Sequence, residues 1–228
     1  MSEGKSILAV ISGPAGSGKT TLIDELIAKN PGQIRRAVTA TTRPPRPGEI
    51  NGRDYHFLSR PTFEQRLADG YFLEHNLFNG NYYGTPGREL ALDLDRGGAV
   101  ILVIDVNGAE AVRRNFPAAV LIFVIPPSLD ELRRRLEKRG TEEPADLKRR
   151  LAIAEQEISA IGKYDFLVVN AAVAAAIADL EAIIRVCRRS RLAGGEAADW
   201  RRGLFAGRDQ PGQTASGNDG FLALAGKE

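Results

Sequence analysis

The chain has 228 residues, 43% of them apolar and 26% charged, the make-up of a globular protein large enough for one good-sized core. A net charge of +2 gives no bulk electrostatic reason to bind nucleic acid or a membrane surface. The single cysteine, Cys187, excludes an internal disulfide framework and fits a reducing cytosol, and His56 and His75 lack cysteine or histidine neighbours at metal-ligand spacing.

The opening residues lack the basic region, long apolar core and small-residue cleavage site of a secretory leader, so a cytoplasmic location is expected. Ile7–Ser12 then reads as a strand buried on both faces, and residues 20–29 as a helix ended before Asn30-Pro31-Gly32. From 35 to 88 the texture changes to polar, aromatic and proline-dotted, which suits short strands and turns better than long helices. Strand patterns return at 100–105, 119–125 and Phe166–Val169. Helical patterns lie at 109–115, 129–139, 147–161 and 171–189. Strands apolar on both sides and alternating with helices point to an α/β fold with a parallel sheet covered by helices. The expected division is a core of 5–34, 89–128 and 160–189, an inserted lobe at 35–88 and a lid at 129–159. The glycine-rich segment 190–228 has no sustained apolar period and reads as a disordered tail.

Between the first strand and the first helix stands G-x-x-x-x-G-K-T, Gly13 to Thr20. A loop that wraps a phosphate must be bare, because side chains would block it. Its N–H groups and the positive end of the following helix then attract anionic oxygens. Lys19 brings a full charge to the β- and γ-phosphates, and the Thr20 hydroxyl can join a magnesium shell. The P-loop predicts a nucleoside triphosphate donor and leaves the acceptor open. Further on, Arg43 and Arg46 stand three apart among Pro44, Pro45 and Pro47. Two guanidinium forks on a stiffened backbone suit a phosphate dianion. In the charged hairpin at 129–150, Leu132 and Leu136 share one face while Arg135 and Arg139 share another.

Several separated motifs in order, VTATTRPPRPGEINGRDYHF, FLEHNLFNGNYYGTP, IDVNG and RLEKRGTE, resemble guanylate kinase. The resemblance spans about residues 7–187. It implies a P-loop nucleoside triphosphate hydrolase-like three-layer fold, in which 35–88 is a GMP-binding lobe and 129–159 an arginine-bearing lid. It implies conversion of ATP and GMP to ADP and GDP in purine nucleotide metabolism, with magnesium assisting and dGMP as a possible second acceptor.

Carried over by residue, ATP binding falls to the loop from Gly13 through Pro14, Ala15, Gly16 and Ser17 to Gly18, then to Lys19, Thr20 and Thr21. Arg135, Arg139 and Asn170 complete that set, and Arg150 joins the lid. GMP phosphate binding falls to Arg43, Arg46, Tyr55 and Tyr83. Glu74 would read the guanine edge, with Thr39 and Thr85 where the family usually has serines, and Asp105 nearby. Lys19, Arg43, Arg135, Arg139 and Arg150 would be the catalytic set, with Lys19 and the lid arginines neutralising charge on the transferring group. A carboxylate accepts two hydrogen bonds and guanine offers two adjacent donors, so the Glu74 assignment is chemically consistent. Two departures stand out: Val103 where the family commonly has aspartate, and Asn107 where glutamine is usual. Val103 removes an acidic group that would order magnesium-bound water. Two alternatives stay open on sequence alone, a sugar-bisphosphate kinase of the same fold and a non-catalytic, protein-binding relative. Oligomeric state is not legible.

Overall fold

Five strands form the core sheet: β1 (Ile7–Ser12), β2 (Ile34–Arg36), β7 (Ala99–Val103), β8 (Val120–Ile125) and β9 (Phe166–Val169). All neighbours pair parallel, in the order β2-β7-β1-β8-β9. The structure is a computed structural model that describes residues 6–78, 80–138 and 144–192. β1 is central and buried along its whole length, as parallel strands covered on both faces must be. Its Ile7, Ala9 and Ile11 pack with Leu22, Ile23 and Leu26 of α1 (Lys19–Lys29) and with Ala176, Ile177, Leu180 and Ile184 of α7 (Val173–Leu192). Leu8 and Val10 alternate with them on the other face. That side touches α4 (Val106–Asn115), while α3 (Gly87–Asp95) touches β7. Burial of residues such as Ile7, Leu8 and Ile11 stabilises by about 1.5–3 kcal/mol each.

The second sheet is mixed, with strand order β4-β3-β6-β5. Its strands are β3 (Ala40–Thr41), β4 (His56–Phe57), β5 (Phe72–Phe78) and β6 (Asn81–Pro86). It has a core of its own: Phe63 stacks on Phe72 with ring centroids 4.3 Å apart and on Tyr82 at 5.1 Å. Phe63 comes from α2 (Arg60–Ala68), a helix of 9 residues inside the segment expected to favour short strands and turns over long helices. Ser59 starts it by accepting from the Thr62 N–H, with proline in the first turn. Only Phe63 of that helix is buried, so no apolar stripe announced it. The expected start of the insertion is also corrected. Arg35 and Arg36 still belong to the core sheet, because β2 pairs with β7 from Ile34 to Arg36.

The segment expected to form a lid contains a helix pair, α5 (Leu129–Lys138) and α6 (Pro144–Ser159), joined through Leu132, Leu136, Ala154, Leu147 and Leu151. α7 runs to Leu192, beyond the expected helix end at 189. The tail expected at 190–228 therefore starts too early, since residues 190–192 belong to α7; Arg139 and residues 193–228 lie outside the described residues.

Candidate active site

The central strand delivers the chain to the glycine loop at the sheet's C-terminal edge, next to β8, where open α/β sheets place their ligands. Two glycines there have no substitute. Gly13 has φ +143, and a Cβ on it would stand 2.0 Å from the Val124 carbonyl oxygen. Gly18 has φ +89, and its Cβ would meet Asn170 Nδ2 at 2.3 Å. Gly13→Ala is therefore expected to lower the unfolding free energy by about 2–3 kcal/mol through backbone strain and displacement of β8. Urea denaturation of parent and variant reads this directly, and an unchanged midpoint would contradict it.

Lys19 curls back over the loop, donating to the carbonyl oxygens of Gly13 at 2.5 Å and Pro14 at 2.9 Å. Asn170, only 4% exposed, donates from Nδ2 to the Ser17 carbonyl at 2.8 Å. Arg135 Nη2 donates to the Asn170 carbonyl at 3.0 Å, and Arg135 Nε to Glu131 at 2.7 Å. The helix pair and the end of β9 thus meet at the glycine loop through one arginine and one asparagine.

The mixed sheet supplies the other side. Glu74 on β5 is 6% exposed and accepts from the Thr85 hydroxyl across the β5–β6 pair. Burial raises its carboxyl to about 7, against the Thr85 hydrogen bond and with the Asp105 charge helping. Asp105 caps α4 by accepting from the Gly108 N–H at 2.8 Å, and its second oxygen accepts from Asn76 Nδ2 at 2.6 Å. Gly108 itself presses close: a Cβ on it would stand 2.9 Å from Glu74 Oε2. The first turn of α4 and the two carboxylates therefore form one tightly spaced group.

A cavity of about 240 Å³ joins these parts. Gly13, Ala15 and Lys19 line it from the loop, and Thr39, Tyr55, Glu74 and Tyr83 from the mixed sheet. Val103 and Asp105 close it at the end of β7, and Glu157 reaches it from α6. The glycine loop and the buried Glu74 carboxylate thus face one shared cavity.

A family profile described as "Guanylate kinase" matches residues 5–186. The chain belongs to the guanylate kinase family. The guanylate kinase of Rubrobacter xylanophilus is 52% identical over 163 residues, covering 72% of this chain and 85% of that protein. That of Thiobacillus denitrificans is 46% identical over 182 residues, covering 80% and 87%. The crystal structure of guanylate kinase from Anaplasma phagocytophilum superposes with a TM-score of 0.68 at 30% identity, covering 91% of this chain and 97% of that one.

Membership sharpens what the geometry says of each expected residue. Gly13, Ala15, Lys19, Thr39, Tyr55, Glu74, Tyr83 and Asp105 share the cavity wall. Thr85 is one step behind it, holding Glu74. Arg43 also stands behind the wall, its guanidinium 5.5 Å from the Tyr55 ring centroid and bonded to Glu49. The Arg46 backbone N–H donates to the same Glu49. Pro14, Gly16 and Ser17 build the loop, Thr20 and Thr21 lie exposed on the first turn of α1, and Arg150 is half-buried on α6. Sequence reasoning missed Glu49, Asn76, Gly108 and Glu157. Asn76 carried a signal, since it alternates with Glu74 on one face of β5. Glu157 carried another, three residues after buried Ala154 on the same face of α6.

Proposed function

We propose that this chain transfers the γ-phosphoryl group of ATP to GMP, giving ADP and GDP. The observation that carries this reading is Glu74, buried and facing the same cavity as Lys19. A carboxylate fixed there accepts from guanine N1–H and from its exocyclic amine. Adenine lacks that donor pair and would leave the carboxylate unmatched. Thr39, Tyr55 and Tyr83 complete the acceptor side, with Arg43 and Arg46 on its phosphate. The glycine loop takes the β- and γ-phosphates of ATP on its N–H groups.

No protein nucleophile is required, because phosphoryl transfer depends on positioning and charge stabilisation. Lys19 lies at the loop and must exchange its present carbonyl partners for phosphate oxygens. Arg135 touches the loop through Asn170 and Ser17, and with Arg139 and Arg150 it neutralises charge from the lid. Closing the lid excludes water that would otherwise hydrolyse ATP. Magnesium would be held here by nucleotide phosphates, water and the hydroxyl of Thr20, which lies exposed on the first turn of α1. Among the described residues no group of three or more His, Cys, Asp or Glu side chains forms a cage for a metal, and magnesium favours phosphate and water over such a cage. When bound it neutralises charge between the β- and γ-phosphates. The proposed setting is purine nucleotide metabolism in the cytoplasm, with GMP, dGMP and ATP as partners and no nucleic acid. Of the described helices none is long and apolar enough to cross a membrane.

The test is coupled ADP release with GMP, dGMP, AMP, UMP and ribose phosphates as acceptors, repeated across magnesium concentrations. GMP or dGMP is expected to give the highest kcat/KM. A higher value for any other acceptor overturns the reading.

A further inference from the structure

Glu49 was not singled out by its sequence position, yet it sits at the joint between the two clamp arginines. Both of its carboxylate oxygens accept from Arg43 Nη2, at 2.9 Å each. One of them also accepts from the Arg46 backbone N–H at 2.7 Å. The Glu49 N–H in turn donates to the Arg46 carbonyl at 3.0 Å, closing a turn in which Gly48 has φ +85. The carboxylate is thereby tied to the backbone frame, with Arg43 the group it orients. Burial alone would push Glu49 up, but the bonds from Arg43 and the Arg46 N–H outweigh it and hold the carboxyl below its ordinary range. It stays charged at neutral pH.

The guanidinium is gripped from behind. Nη2 points to Glu49 and Nη1 donates to the Pro44 carbonyl at 2.6 Å. The rings of Tyr55 and Phe57 stand 5.5 and 5.8 Å from its centre. Tyr83, which lines the cavity, also interacts with the Arg43 side chain. A guanidinium is a rigid fork, so fixing one edge fixes where the other points. We propose that Glu49 is a positioning residue for the acceptor phosphate: it locks Arg43 against the Arg46 turn so that the remaining guanidinium N–H donors meet the phosphate. The proposal rests on the GMP-acceptor reading above.

Charge alone argues the reverse. Glu49 partly cancels Arg43, so an uncharged residue there should attract phosphate more strongly. Geometry argues that a loosened fork binds worse, and the sign of the effect decides between them. Glu49→Gln keeps the size and removes the charge. It is expected to raise the KM and Kd for GMP about 10-fold or more, misplacement being costly at such sites. KM for ATP should stay within about twofold, and so should the Kd for guanosine, which has no phosphate to meet Arg43. In an Arg43→Ala background the second change should have no further effect, because Glu49 acts through Arg43. Glu49→Asp and thermal melting of each variant separate a loosened clamp from a damaged fold. Tighter or unchanged GMP binding in Glu49→Gln overturns the proposal, as does equal weakening of guanosine, or full additivity with Arg43→Ala. Failure of the parent protein to bind GMP at all would instead overturn the acceptor assignment.

Discussion

Lys19→Ala is expected to lower kcat for GMP-dependent ADP release by about 10²–10³, or about 3–4 kcal/mol of barrier, the usual cost of losing one preorganised charge-stabilising donor. Lys19 is the one loop residue that brings a full charge into the cavity shared with Glu74, and no neighbouring N–H group replaces a cation. In the free protein its ammonium is parked on the Gly13 and Pro14 carbonyls. Those carbonyls belong to a loop held independently by the Asn170–Ser17 bond. The variant should therefore keep its melting temperature within a few degrees and lose chemistry without losing its fold. GMP affinity should change little, since most of the proposed acceptor groups come from the mixed-sheet segment. Steady-state kinetics and GMP titration of the variant test both halves. Undiminished ADP release would remove the P-loop from the mechanism.

Why the loop and its strand could be read from residues alone is a matter of local physics. β1 is apolar on both faces because it is central, and the glycines follow because two of their positions clash with any side chain. β9 was equally legible, matching the expected Phe166–Val169. The strand β2 was not. Ile34–Arg36 offers one apolar residue and two arginines, and it is a strand because β7 presents an open edge to it. α2 was hidden for a related reason, as its single buried residue, Phe63, answers to Phe72 and Tyr82 from distant chain positions. Helix α3 also went unread, although its buried Leu90 and Leu94 are four apart; nothing in the polar approach to it marked a start.

The site shows the same division. Residues that carry a family motif could be named in advance, and eight of them share one cavity wall. Their supports left fainter signals or none. Glu49, Asn76 and Gly108 matter because of what the fold sets beside them: Arg43, Asp105 and Glu74. Glu157 reaches the cavity only because the packing of Ala154 against α5 turns that face of α6 inward. Burial pushes its carboxyl up while Lys19 pulls it back, a balance that no linear reading supplies.

Glu74→Gln is the sharper test, because it should make the protein worse at its reaction and more stable at once. The amide offers guanine one acceptor and one opposing donor where the carboxylate offered two acceptors, so kcat/KM for GMP is expected to fall by about 10²–10³ and selectivity over AMP to shrink with it. The stability effect has the opposite sign. The Glu74 carboxyl has a folded value of about 7, against 4.5 ordinarily. A value raised on folding means that the neutral acid's contribution is whole below about pH 4.5 and is lost as pH rises through about 7. Above pH 8 the buried charge then costs about 3 kcal/mol, to order of magnitude. The amide never ionises and can still accept from Thr85. Glu74→Gln should therefore be more stable than the parent at pH 8 by up to about 3 kcal/mol, with the gain falling below about 1 kcal/mol at pH 5 and vanishing near pH 4, as read by urea denaturation at pH 8 and pH 4. Guanine donors favour the charged form, so GMP binding to the parent must expel a proton near pH 7. Its affinity should weaken about tenfold for each pH unit below that point. The variant keeps the titration of the GMP phosphate itself and so isolates the share due to Glu74. A variant that retained GMP selectivity, or a stability difference indifferent to pH, would mean that this carboxylate neither reads the base nor bears the cost of its burial.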